Sequence, residues 1–167
     1  MRAFSTAAAA FCVALTALGV QAAARPLSPD LTGTWEVVQL MVGPGEVQAL
    51  AENDPSYIGA RLRVGPSAWT WDRRGRTAET LKDRCDSPTI TRAERHAPRL
   101  LADYFNGPIA LPRAGNGQAF SLACNKASAF GPRRPMPLII LPGGRIALPW
   151  YDNGLLVLRR LQARQAR

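Results

Sequence analysis

The chain has 167 residues, of which 47% are hydrophobic and 20% charged, with a formal net charge of +9 and a single histidine. That apolar share suits a folded domain with a real core and excludes a disordered or collagen-like chain. The basic surplus is mostly arginine, scattered except at RRGR (Arg73–Arg76), PRRP and LRRL; no basic helix or aromatic–basic RNA motif stands out, so nucleic acid is not an expected partner.

Residues 1–24 read as a signal peptide. Arg2 gives the positive start, AAAAFCVALTALGV the apolar core, and Ala22-Ala23-Ala24 the small-x-small cleavage site. The apolar run is shorter than the roughly 20 residues a membrane helix needs, so no integral span is expected. Cys12 lies inside that run behind bulky Phe11 and is expected to leave with the signal rather than carry a lipid. The mature protein is therefore expected to be periplasmic or secreted. Cys85 and Cys124 remain, and an isolated pair in an oxidising compartment forms a disulfide. Closing a loop of that length stabilises by about 4 kcal/mol in the chain-entropy picture.

Residues 25–30 (RPLSPD) form a tail without periodicity, and 31–162 a single β domain, followed by a short tail at 163–167. Thr34–Val42 is dense in β-branched and apolar residues and reads as a strand, stopped by Gly43-Pro44-Gly45. EVQALAEN has the makings of one or two helical turns, ended by Asp54-Pro55. In ARLRV, Leu62 and Val64 share one face and Arg61 and Arg63 the other; after Gly65-Pro66-Ser67, AWTWD sets Trp69 and Trp71 on one side, which together predict a hairpin. The stretch Arg73–Arg84 reads as an exposed charged loop with a short helix at AETLKD.

Thr89–Ala93 is extended. APRLLADYFNG spaces Leu100, Leu101, Tyr104 and Phe105 for a helix that stops at Asn106-Gly107. QAFSLACN is a further strand. PLIILP, RIALPWYD and LLVLRRL then form a meander, turned at Gly143-Gly144 and Asn153-Gly154, with Pro149 marking a bulge or an edge position. The sum is a mainly β chain of seven or eight short antiparallel strands with one or two short helices. A sheet of this size hides its edges by closing into a small barrel.

Gly33-x-Trp35 at the first strand, the antiparallel run, and an arginine ending the last strand (Arg159 or Arg160) together resemble the lipocalin, or wider calycin, pattern of a bacterial exported domain. The resemblance implies that Gly33 begins the first strand, that Trp35 packs across the closed end of the barrel, and that a late arginine, taken as Arg159, covers the indole face. It also implies that the barrel interior is the ligand site.

No catalytic constellation emerges from the residues. His96, in ERHAP, reads as a surface side chain; CxxC spacing and a Gly-x-Ser-x-Gly elbow are missing. The acid pairs Asp83/Asp86 and Asp72/Glu79 lie among arginines, where ion pairing accounts for them. Neither enzymatic activity nor a metal or cofactor is expected. Binding is better motivated: Trp69, Trp71, Trp150 and Tyr151 are large amphipathic rings, joined as candidates by Arg61, Leu62 and Arg63. If Trp69 and Trp71 face inward they line the interior with Leu62 and Val64; if outward they form a patch. Two readings stay open. One is a barrel holding a small hydrophobic, amphipathic or anionic ligand, with Arg61 or Arg63 on its head group. The other is a protein-binding inhibitor or immunity-type module against a periplasmic or secreted enzyme, using the loop Arg73–Arg84 or Gly131–Pro137. A roomy apolar cavity favours the first, and a filled barrel with an ordered protruding loop the second.

Overall fold

The computed structural model describes residues 29–45, 49–72, 79–111 and 117–162. The expected signal peptide, residues 25–28 of the expected N-terminal tail, residues 46–48 of the expected helical turns, residues 73–78 of the charged stretch and the expected C-terminal tail 163–167 lie outside these. Nine strands build one antiparallel sheet: β1 (Gly33–Val42), β2 (Arg61–Val64), β3 (Ala68–Asp72), β4 (Arg84–Asp86), β5 (Thr89–Arg92), β6 (Gln118–Ala123), β7 (Met136–Leu141), β8 (Arg145–Pro149) and β9 (Gly154–Arg160). Their spatial order is β4-β3-β2-β1-β9-β8-β7-β6-β5. Because β1 pairs with both β2 and β9, the first and last strands are neighbours in a sheet that curls into a half-barrel.

The two outermost strands of that sheet, β4 and β5, are consecutive in the chain. Only Ser87, held at a left-handed φ of 48°, and Pro88 separate them, so they act as two halves of one bent stave. β5 pairs with β6, whereas β4 bonds to the chain that continues β6: the Arg84 N–H donates to the Ala129 carbonyl at 2.7 Å and the Asn125 N–H to the Asp86 carbonyl at 2.8 Å. The Cys85–Cys124 disulfide crosses the same seam and spans 39 residues of sequence. The open side of the half-barrel is therefore laced by backbone bonds and a covalent bridge.

Alternation along the strands creates two apolar layers. Leu62, Val64, Trp69, Trp71, Leu138, Leu148, Leu156 and Leu158 belong to the inner layer. Ile139, Leu141, Ala147, Leu155 and Val157 point the other way, under Leu101 and Phe105 of the helix α1 (Ala97–Phe105). This explains why PLIIL, IAL and LLVL read as unbroken apolar runs: their strands are buried on both faces. The helix ends as expected at Asn106, which is left-handed and gives its N–H to the Ala102 carbonyl.

Some local expectations need correction or refinement. Residues 49–53 form turns and not a helix, since Asn53 is tied to β1: its N–H donates to the Leu40 carbonyl at 2.9 Å and its Oδ1 accepts the Leu40 N–H at 3.2 Å. The short helix expected at AETLKD is a 3-10 turn at Glu79–Lys82, but Leu81 within it is buried, so this end of the charged loop is not simply exposed. The last hairpin turns on Asp152 and Asn153, both at positive φ, one residue earlier than expected, and Gly154 already belongs to β9. Pro149 ends a strand interior to the sheet, but beyond the last β7 pairing, so its missing N–H breaks no ladder on that side.

Candidate functional site

At one end of the barrel Gly33 opens β1, and Trp35, only 3% exposed, donates its indole N–H to the Leu31 carbonyl at 2.8 Å. The cation on its ring is Arg160, with its guanidinium carbon 5.3 Å from the ring centroid, and not Arg159. Strand parity decides this: Arg160 is the direct partner of Trp35 across the β1–β9 ladder, while Arg159 faces Glu36 and pairs with it at 2.9 Å on the outer surface. Arg160 also donates to the Asp30 and Thr32 carbonyls at 2.9 and 2.6 Å, closing residues 30–32 over the tryptophan.

The other ligand candidates divide by face. Leu62, Trp69, Trp71 and Trp150 all point inward, and edge-to-face contacts run from Trp69 to Phe130 (6.0 Å between centroids), to Trp150 (5.4 Å) and on to Trp71 (5.3 Å). These rings fill the space that the resemblance reserves for a ligand. Arg61 and Arg63 lie on the opposite, outer face. Arg63 pairs with Asp72 at 3.0 Å, and Arg61 sits in register between Glu36 and Asp72, so neither joins the tryptophans.

Toward the second end, Tyr151 has a positional role. Its hydroxyl donates to Asp83 Oδ2 at 2.7 Å, with the Gly131 carbonyl 3.2 Å away, and the same Asp83 oxygen accepts the Gly131 N–H at 2.9 Å. Burial, with the carboxylate of Asp83 beside it, pushes the Tyr151 phenol far above its ordinary range. This knot fixes the base of the segment Gly131–Pro137. Gly131 has a φ of 72°, and a Cβ there would approach Met136 Sδ to 2.4 Å, so only glycine fits the return of the loop. Pro132, Arg133, Arg134 and Pro135 are all exposed, yet both arginines are held: Arg134 donates to the Lys126 carbonyl at 2.7 Å, and Arg133 lies 4.7 Å from the centroid of the Tyr104 ring. Burial raises the Tyr104 phenol to about 12, against the opposing pull of Arg133.

A cavity of about 350 Å³ opens between this loop and the last hairpin, lined by Tyr104, Pro132, Arg133, Trp150, Asp152 and Asn153, with Ala49 at its margin. Next to Trp150, the Trp71 indole nitrogen is buried and has no hydrogen-bond partner among the described residues. Such an orphaned donor carries a cost on the order of 1–3 kcal/mol. A wider groove of about 710 Å³ beside the start of α1 is walled by Arg92, Glu94, Arg95 and the exposed His96. Among the described residues no group of three or more His, Cys, Asp or Glu side chains is placed to hold a metal. No helix among them is long and apolar enough to cross a membrane. Tyr104, Arg133 and Asp152 did not stand out in the sequence; only GPRRP signalled the loop, while Tyr104 looked like one more apolar position of a helix.

No protein-family model matches the chain, and no curated protein or solved structure matches it significantly.

Proposed function

We propose that this is an exported, lipocalin-like barrel whose task is binding, and that it docks an acidic protein partner through the loop Gly131–Pro137. The observation that carries the reading is the contrast between a filled interior and a basic loop that is exposed yet anchored at its base, at Arg133 and at Arg134. A loop already held in one shape gives up little conformational entropy on binding. Adjacent arginines bracketed by prolines offer guanidinium forks to carboxylates, and arginine is enriched among the residues that dominate interface energies. Export is supported by the N-terminal pattern and by the disulfide. The lipocalin likeness is supported by the Trp35–Arg160 stack and by a meander in which β1 joins β9.

The test is photocrosslinking from a reactive residue at position 132, with position 63 on the outer face as control, in extract from the protein's own host. Crosslinking to one acidic protein from position 132 alone is expected. It should be lost in the Arg133→Glu, Arg134→Glu double variant, and binding of the purified partner should weaken steeply with salt. Equal labelling from both positions, or binding indifferent to the charge reversal, overturns the reading.

A further inference from the structure

We infer that the cavity at the foot of the loop is a binding site for a small zwitterion with an apolar body, of the size and chemistry of a free aromatic or large aliphatic amino acid. The site shares Arg133 and Pro132 with the docking loop but takes a small molecule, and its test does not depend on a protein partner. Two opposite charges, Arg133 and Asp152, line the same cavity, and neither is ion-paired with the other or with any described residue. The Arg133 side chain and the Asp152 backbone are nonetheless held in place. Arg133 rests on the Tyr104 ring, and Asp152 sits in a tight turn at a φ of 53°, next to Asn153, whose amide donates to the Pro44 carbonyl at 3.3 Å. Oppositely charged groups that are fixed apart present complementary handles to a molecule carrying both charges. A carboxylate takes the guanidinium fork, and an ammonium takes the Asp152 carboxylate.

The remaining wall selects the body of the ligand. Tyr104 and Pro132 give an apolar wall, backed by the fully buried Trp150, and about 350 Å³ lies at the low end of small-molecule sites, enough for one amino acid and too little for a lipid chain. An anion alone would gain from Arg133 and be repelled by Asp152; a cation alone meets the reverse. Only a molecule bearing both charges gains from both.

Calorimetric titration of the oxidised protein with L-phenylalanine, phenylalaninamide, N-acetyl-L-phenylalanine and glycine tests this directly. Saturable binding of phenylalanine is expected, with each singly charged analogue weaker by about tenfold and glycine weaker still. Asp152→Asn should abolish the preference for phenylalanine over the N-acetyl form, and Arg133→Gln the preference over the amide. Both side chains are exposed, so near-ultraviolet circular dichroism should show the fold unchanged. Absence of saturable heat from phenylalanine with the folded protein, equal binding of all four probes, or discrimination that survives both substitutions overturns the proposal.

Discussion

The two ends of the barrel are packed alike and wired differently. Trp35 at one end and Trp150 at the other are 3% and 0% exposed, so burial does not tell them apart. What differs is where polar groups find partners. Around Trp35 they turn inward: the indole bonds to Leu31, and Arg160 covers the ring while its donors cap two carbonyls. Around Trp150 a neighbouring indole has no acceptor among the described residues, and Arg133 and Asp152 share a cavity without sharing a bond. An end whose groups satisfy one another has little to offer a partner, whereas one with fixed, unspent groups does.

The largest test of that contrast is the Cys85→Ser, Cys124→Ser double variant. About 4 kcal/mol of stability should be lost, read from the denaturant midpoint, because the bridge closes a span of 39 residues. Since Cys124 leads into the segment that laces β4, amide exchange should rise first across residues 125–135 and last around Trp35. Simultaneous opening of both ends would erase the distinction. Next in size is Trp35→Phe compared with Trp71→Phe. Both remove an indole, but only the first removes a hydrogen bond and weakens a cation contact, so it should cost about 1–2 kcal/mol more in urea unfolding. Equal losses would mean that the Trp71 nitrogen is satisfied in solution.

Smaller again is Arg160→Gln against Arg159→Gln. The first should cost about 1 kcal/mol, through lost capping and stacking. The second should cost at most about 0.5 kcal/mol and fade with added salt, as an exposed pair with Glu36 does. The last effect appears only in alkali. The neutral Tyr104 phenol is favoured in the folded state, with its pKa raised from 10.0 to about 12 by burial. Its contribution is complete below pH 10 and is lost as pH climbs toward 12, because the unfolded chain releases the proton first. Tyr104→Phe should flatten that part of the stability profile; an unchanged profile would place Tyr104 in solvent.

Much of this architecture is written in local pattern. The Leu62/Val64 and Trp69/Trp71 alternation, the twin glycines 143 and 144 with their positive φ values, and the helix stop at Asn106 each depend on a few adjacent residues, and each forms as the sequence implies. The features that escaped depend on partners far along the chain. Which of Arg159 and Arg160 meets Trp35 is a matter of register between strands more than 120 residues apart, where a shift of one residue exchanges the faces. Asp86-Ser87-Pro88 marks a break in the chain, but that the strands on either side, β4 and β5, form the two outermost strands of one sheet depends on what each pairs with. The candidate cavity draws on α1, the loop and the last hairpin, and Tyr104, Arg133 and Asp152 become neighbours only once all three are in place.

The pairing of β1 with β9 also fixes how the domain can be attached to anything else. Residues 30–32 and Arg160 are bonded to each other, so the polypeptide enters and leaves the barrel at a single pole, the Trp35 one. Whatever is joined ahead of residue 29 or beyond residue 162 is anchored there. A reporter, a surface tether or a second domain fused on either side would then leave the opposite pole, with its arginine loop, facing outward and unobstructed.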